Sequence, residues 1–114
     1  MREFIGFVDA KGKEPVMEFI AQLKQPEADK VVTMLEALTS VDELRLPYFK
    51  PLRGLRETLA ELIIGPFRIF VHRLDGGPGQ ERYLLVHMFR KKSNETPVTE
   101  LEKALKNVIA FRYG

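Results

Sequence analysis

Three consecutive cations, Arg90, Lys91 and Lys92, come at the end of a largely apolar segment that also contains His87. Adjacent positive charges repel one another, so the folding of a core does not by itself require this run. A polyanion would supply the missing negative charge, and arginine is suited to bidentate contact with phosphate oxygens. The pattern therefore predicts a phosphate-binding surface at the end of a buried strand. A solvated basic surface is the alternative interpretation.

Cleavage of RNA without a metal ion requires a base, an acid and cations. The base takes the proton of the 2′-hydroxyl, the acid protonates the leaving oxygen, and the cations stabilise charge developing on phosphorus. His87 and His72 are the candidate acid and base, and Lys91 or Lys92 could serve if their positive neighbours favour the neutral amine. Arg68 is the candidate for stabilising charge on the phosphate. Because the 2′-hydroxyl takes part, the substrate of such a site would be RNA and not DNA.

Each of these residues also has a purely structural interpretation. His87 lies within an apolar strand pattern and could be a hydrogen-bonded histidine of the core. Arg68 alternates with apolar residues and could form an ion pair with Glu61 or Glu57, and His72 could be an ordinary surface residue. The residue types alone leave these alternatives open.

The positive charge is concentrated in the middle of the chain. The net charge is +2 overall, but residues 45–92 hold ten Lys and Arg against four Asp and Glu. Such a segment favours an anionic partner, with a solvated basic face as the alternative. Four arginines in this segment are predicted to bind RNA beside the catalytic set: Arg53, Arg56, Arg73 and Arg90.

Length and composition exclude several classes of protein. A chain of 114 residues, 45% of them hydrophobic, predicts a single globular domain spanning residues 1–114. With no cysteine and only two histidines, no metal site and no cofactor are expected. No apolar run approaches the roughly 20 residues that span a membrane, so no membrane association is expected. The N-terminal residues lack the apolar block of a signal peptide, and the cytoplasm is the expected location.

Hydrophobic periodicity predicts the elements that position these residues. A short strand precedes two amphipathic helices, which begin near Pro15 and Pro26. Residues 41–51 read as a loop in which Tyr48 and Phe49 either stack on bases or close the core, the second being favoured. Three further strands follow, with a turn at Gly65-Pro66 and another at residues 75–79. A last helix begins at Pro97 with Thr96 as its N-cap. The order β-α-α-β-β-β-α predicts an α+β fold, in which two N-terminal helices pack on a small, mostly antiparallel sheet and a C-terminal helix follows.

Several motifs occur in an order that resembles a known family. They are Leu52-Arg53-Gly54-Leu55, Leu59-Ala60-Glu61-Leu62, Gly65-Pro66-Phe67-Arg68-Ile69, His87-Met88-Phe89-Arg90-Lys91-Lys92, and Thr96-Pro97 with Glu102 and Ala104. The chain resembles the phage-derived Gp49-like group of HigB-type toxins, within the RelE/ParE toxin superfamily. The most specific part is the His-x-Phe-x-Lys-Lys block followed closely by Thr-Pro. Many members of the group have arginine after the Glu-Leu pair, where this chain has Ile63.

The resemblance implies a compact RelE/ParE-like toxin of a type II toxin–antitoxin system. Its relatives inhibit translation by cutting mRNA on the ribosome, without a metal ion, so mRNA and the ribosome are implied partners. The implied antitoxin is a HigA-like helix-turn-helix protein. The resemblance associates Arg68, Arg90, Lys91 and Lys92 with RNA binding and cleavage, with His87 as a motif member. The alternatives are a ParE-like inhibitor of DNA gyrase, since fold does not determine function, and a catalytically inactive binding or co-repressor module.

Overall fold

The part of the chain that the structure describes forms a mixed α/β fold with three helices and a five-stranded open sheet. This computed structural model describes residues 2–74 and 79–114. Within them the elements are β1 (Arg2–Gly6), α1 (Pro15–Ala21), α2 (Gln25–Ser40), β2 (Phe49–Pro51), β3 (Ala60–Ile64), β4 (Phe67–Leu74), β5 (Glu81–Arg90) and α3 (Val98–Tyr113). The predicted helices and strands are therefore present. The predicted turn at residues 75–79 lies mostly outside the described residues.

The strands are ordered β1-β5-β4-β3-β2. All neighbouring pairs are antiparallel except β1 and β5, which run parallel. The prediction of a mostly antiparallel sheet is confirmed. The prediction that residues 41–51 form a loop is wrong at their C-terminal end, where Phe49–Pro51 form β2. The sequence pattern does not predict β2, because the strand has three residues and contains a proline, which a sheet tolerates at an edge. Phe49 in this strand is buried and packs edge-on against Tyr83, whereas Tyr48 is 44% exposed.

The sheet is covered by helices on both faces. Val16 and Ile20 of α1 and Val31 and Leu38 of α2 pack on one face, and Ala104 and Val108 of α3 pack in the cluster on the other. These residues of the predicted apolar stripes are therefore core packing, as the 3.6-residue period predicts, whereas Val32 and Ile109 of the same stripes are exposed. No helix within the described residues is long and apolar enough to cross a membrane. We refer to the two sides of the sheet as the α1–α2 face and the α3 face.

The turn between β3 and β4 brings the candidate residues to one end of the sheet. Gly65 adopts a φ of +57°, a conformation that residues with a Cβ rarely take, so glycine is suited to this position. The hairpin pairs Ile63 with Arg68 and Ile64 with Phe67. β4 therefore starts at the same end of the sheet at which β5 finishes.

β5 is an interior strand with a bulge near its middle. Phe70 of β4 pairs with His87, while the next residue, Val71, pairs with Leu85, so Val86 has no directly opposed partner. An extra residue of this kind reverses the phase of side-chain alternation beyond it. Leu85 packs on the α1–α2 face, whereas Phe89 packs on the α3 face.

Candidate nucleic-acid interface

Arg68, Lys91 and Lys92 lie together where β4 begins and β5 ends. Phe67 pairs with Arg90 across these strands, and the backbone N–H of Lys91 donates to the Pro66 carbonyl over 2.8 Å. This pairing carries the two lysines past the turn and beside the Arg68 side chain. The three cations line an open, polar cleft of about 330 Å³ together with Ser93 and Asn94. We call it the Arg68 cleft.

The positive charge of the Arg68 cleft is not compensated locally. The Arg68 guanidinium donates hydrogen bonds to the Gly65 and Phe67 carbonyl oxygens, over 2.7 and 2.9 Å. Among residues 2–74 and 79–114, no Asp or Glu forms an ion pair with any of its three cations. An arginine held by two carbonyl groups keeps its charge and a restricted orientation, as binding of a phosphate requires.

The two carboxylates considered as partners for Arg68 have other contacts. Glu61 is buried, with 2% of its surface exposed, and accepts a hydrogen bond from the Thr96 hydroxyl over 3.3 Å. Glu57 forms an ion pair with Arg112 of α3. The structural interpretation of Arg68 as half of an ion pair is therefore wrong.

Ile63 lies directly opposite Arg68 on the neighbouring strand. Directly opposed residues of antiparallel strands have Cβ atoms about 4.5–5.5 Å apart, on the same face. This is the position at which the resemblance implies a second arginine. Because isoleucine occupies this position, β3 contributes no guanidinium to the cleft and β4 contributes that of Arg68.

His87 is separated from the Arg68 cleft by an aromatic ring. Its imidazole stacks on Phe70 and Phe89, with ring centroids 6.4 and 6.1 Å apart, and Phe89 is the residue paired with Arg68. Its Nε2 lies 3.2 Å from the Glu100 carboxylate on α3. Burial lowers the pKa of His87 below its usual value, although the hydrogen bond to Glu100 opposes this shift. The structure does not bring His87 together with the other three residues of the predicted catalytic set.

Arg90 lies on the opposite side of the sheet from the Arg68 cleft. Its guanidinium forms an ion pair with Glu27 of α2 at 2.9 Å and sits over the Phe67 ring, 4.6 Å from the centroid. These contacts belong to the α1–α2 face. The three consecutive cations of the sequence are therefore divided, because Arg90 is still part of the alternating strand while Lys91 and Lys92 have left it.

The other predicted RNA-binding arginines lie at the far end of the sheet. Arg73 is five residues along β4 from Arg68, or roughly 16 Å at the rise of a strand. Its guanidinium packs over the Tyr83 ring and lies 4.0 Å from the Glu81 carboxylate. Arg53 and Arg56 are exposed in the segment before β3, which starts at this same end. The predicted group of four RNA-binding arginines is thus not brought together.

His72, the other candidate acid or base, is also at the far end. It is buried rather than on the surface, with 6% of its area exposed, and its Nδ1 lies 2.7 Å from the Thr58 carbonyl oxygen. This contact anchors the segment that leads into β3. The interpretation of His72 as a surface residue is therefore wrong, because its side chain is buried and hydrogen-bonded within the fold.

A second group of cations was not identified from the sequence. A groove of about 660 Å³ runs between the segment after β1 and α3, with His87 in its wall. Four lysines line it: Lys11, Lys13, Lys103 and Lys106. The spacing of Lys103 and Lys106 was a usable signal, because residues three apart lie on one side of a helix. Nothing local to the sequence places them beside Lys11 and Lys13, which are about 90 residues away in the chain. We call this the lysine groove.

The chain matches a known protein family. A protein-family model described as phage derived protein Gp49-like matches residues 18–108. The matched region includes α2, all of β2 to β5 and most of α3, and so includes the Arg68 cleft. No curated protein matches the chain.

Proposed function

Because the chain belongs to the phage-derived Gp49-like family, we propose that it is a HigB-type toxin that cleaves mRNA on the ribosome without a metal ion. The family is associated with the toxins of toxin–antitoxin systems, which implies an antitoxin partner. To this family association the proposal adds the reaction (cleavage of RNA), the substrate (mRNA on the ribosome) and the residues that act on it. It also assigns the partner to the helix-turn-helix class of HigA-like antitoxins.

The single observation that carries the proposal is the uncompensated charge of the Arg68 cleft. Arg68, Lys91 and Lys92 converge from two strands with no carboxylate paired to any of them in the described part of the chain. Three cations held together without a counter-ion favour an anionic ligand, and repulsion among them is relieved when a phosphate binds. A cleft with this charge suits the RNA backbone at the bond to be cleaved.

The residues take different roles in this mechanism. Arg68, oriented by two backbone carbonyls, contacts the phosphate whose bond breaks and stabilises the charge of the transition state. Lys91 and Lys92 contact the same or the next phosphate and are the nearest groups able to move a proton. His87 lies behind Phe89, holds β5 to α3 through Glu100 and does not touch the phosphate whose bond breaks.

Two features favour a second candidate function, a catalytically inactive binding or co-repressor module. His87 is displaced from the cleft, and Ile63 stands where a second guanidinium would face Arg68. A cleft with three cations and no free imidazole can bind a phosphate without cleaving the chain. This candidate predicts no growth defect when the chain is produced without an antitoxin.

The test is to produce the chain alone in bacteria and to follow protein synthesis and DNA damage after induction. We expect protein synthesis to stop first, with cleaved mRNA. Arg68→Ala alone, and Lys91→Ala combined with Lys92→Ala, should each abolish this effect. Loss of one charged hydrogen-bond donor to a developing charge commonly lowers a rate by about 100-fold or more.

Lys24→Ala combined with Lys50→Ala is the matched control, since it removes two exposed lysines outside the cleft. Circular dichroism of each purified variant establishes that it is folded. Folded, fully toxic variants of both cleft sites would refute the proposed site. Early DNA damage with continuing protein synthesis would favour a gyrase inhibitor, and absence of any growth defect would favour the inactive module.

A further inference from the structure

The lysine groove has the form of a binding site that the proposed reaction does not use. The segment after β1 supplies Lys11 and Lys13, and α3 supplies Lys103 and Lys106 on the facing side. Between the two pairs the lining consists of the apolar residues Phe7, Ala10 and Ala110 and the polar residues Asp9, His87 and Asn107, with more apolar than polar surface exposed. Residues with small side chains, such as alanine, leave room there for a flat or apolar group between two positively charged rims.

The carboxylates near the groove do not neutralise it. Asp9 lies in the wall of the groove and accepts hydrogen bonds from the backbone N–H groups of Lys11 and Lys13, over 2.8 and 2.9 Å, so it shapes the loop, and its one negative charge is set against four lysines. Glu100 contacts Lys103 at 3.5 Å, but the Lys103 side chain is 64% exposed, where an ion pair contributes little. Within the described residues, Lys11, Lys13 and Lys106 form no ion pair. The groove therefore presents a net positive charge to solvent.

The loop that carries one rim is held in place by its own backbone. The Asp9 N–H donates to the Lys13 carbonyl over 2.8 Å, and the Gly12 N–H donates to the Asp9 carbonyl over 3.0 Å. Gly12 has a φ of +80°, which closes the turn. A site whose backbone is already ordered loses less conformational entropy when a ligand binds.

The groove and the Arg68 cleft open on the same face of the sheet. Arg68 and Phe70 alternate on β4, and Phe70 packs in the α3 cluster, so Arg68 also points to the α3 face. His87, which lines the groove, pairs with Phe70, only two positions along the ladder from the pair of Arg68 and Phe89. A polymer bound in the cleft therefore has the groove within reach of its neighbouring nucleotides.

We propose that the lysine groove binds single-stranded RNA flanking the scissile bond, with the phosphates on the two lysine rims and one base on the apolar lining. This inference rests on the proposed function and extends its substrate site. Single-stranded nucleic acid is commonly held by cations that track the backbone and by aromatic side chains on which the bases stack, and in this groove the apolar lining would take the place of those rings. A linear polyanion can reach both rims at once, which a single small anion cannot do. An acidic protein segment is the competing occupant.

The test measures binding of a fluorescent single-stranded RNA of about 20 nucleotides as a function of salt concentration. The RNA carries 2′-O-methyl groups, so it has no free 2′-hydroxyl and cannot be cleaved through one. Each phosphate contact contributes about 0.7 to the slope of log affinity against log salt concentration for a single strand. Lys103→Gln combined with Lys106→Gln should reduce this slope by about 1.4 and weaken binding by about tenfold or more at low salt.

Lys24→Gln combined with Lys50→Gln is the control, because it removes the same charge from exposed sites that line neither the groove nor the cleft. A second pair, Lys11→Gln with Lys13→Gln, repeats the test on the facing rim without altering α3. Equal slopes for the groove variants and the control would overturn the inference. So would unchanged RNA binding with a loss of poly-glutamate binding, which would assign the groove to an acidic protein segment.

Failure of this inference is distinguishable from failure of the proposed function. Arg68→Ala is measured in the same titration and in the ribosome-dependent cleavage assay. If Arg68→Ala reduces both while the groove variants change neither, only the lysine groove is refuted. If Arg68→Ala changes neither, the proposed function has failed first.

Discussion

At the scale of single residues, the Arg68 cleft combines strong positive charge with limited geometric control. Arg68 is oriented by two carbonyl groups, but Lys91 and Lys92 are flexible point charges and Ile63 contributes none. Arginine has a planar fork of donors, so a second guanidinium beside Arg68 would bind the phosphate with a better defined geometry than either lysine. In the proposed reaction, position 63 therefore limits how well the cleft stabilises the transition state.

Ile63→Arg tests this limit directly. The new guanidinium would face Arg68 across the strand pair and should increase the rate of ribosome-dependent mRNA cleavage by about tenfold. Like charges directly opposite each other in a sheet should lower the free energy of unfolding by up to about 1 kcal/mol. Ile63→Gln is the control for polarity without charge. If the arginine and glutamine variants cleave at the same rate, position 63 plays no part in the site.

His87 should make the stability of the protein depend on pH. Burial lowers its pKa in the folded state, whereas the unfolded chain keeps the usual value of 6.5, so acid favours the unfolded chain. The contribution is present above about pH 6.5 and is lost as the pH falls towards the folded-state pKa. Urea unfolding at about pH 7.5 and about pH 5.5 should show a smaller loss of stability for His87→Gln than for the wild-type chain. An identical loss in both proteins would contradict the effect of burial.

At the scale of elements, the start of α3 has no side-chain cap, and the threonine predicted to cap it makes a tertiary contact instead. The prediction of Thr96 as N-cap is wrong: the helix begins at Val98, and Pro97 precedes it with no side-chain cap. The Thr96 hydroxyl instead donates to the buried Glu61 carboxylate of β3. Leaving a buried carboxylate without a hydrogen-bond donor costs more free energy than losing a weak helix cap. The Thr96 hydroxyl therefore bonds to Glu61 and does not cap α3.

Thr96→Val should therefore destabilise the protein by about 1–3 kcal/mol, the cost of leaving a buried acceptor without a partner. Thr96→Ser keeps the hydroxyl and should cost much less. Glu61→Gln keeps an acceptor and removes the buried charge, so its effect should be close to neutral. Chemical denaturation of the three variants gives the comparison. Equal losses for the valine and serine variants would show that the methyl packing, and not the hydrogen bond, matters.

The bulge in β5 acts at the same scale. Without the bulge at Val86, regular alternation would put His87 on the same face as Leu85, under α1 and α2. With it, His87 and Phe89 reach the α3 face. Arg90 is consequently directed to α2, where it meets Glu27. One unpaired residue thus determines which cations can take part in the Arg68 cleft.

At the scale of the whole molecule, the fold redistributes charge relative to the chain. The sequence places the excess of positive charge between residues 45 and 92, with net negative charge elsewhere. In the folded protein, Arg53, Arg56 and Arg73 lie at the end of the sheet opposite the Arg68 cleft. Four lysines from the otherwise acidic terminal segments form the lysine groove instead. A single polyanion bound along the Arg68 cleft and the lysine groove would therefore contact some cations of residues 45–92 and some from the terminal segments, but not Arg53, Arg56 or Arg73.

The sequence by itself determined the helices, the long strands, the turn at Gly65-Pro66 and the motifs that characterise the Gp49-like family. These features depend on periodicity, backbone preference and residue identity over short stretches of chain. The tertiary structure alone decided that Arg68 meets Lys91 and Lys92, that Arg90 and His87 do not join them, and that β2 pairs at the edge. These outcomes depend on strand register, on the bulge at Val86 and on the packing of α3. Each is set by contacts between residues far apart in the chain, whose energies no local pattern contains.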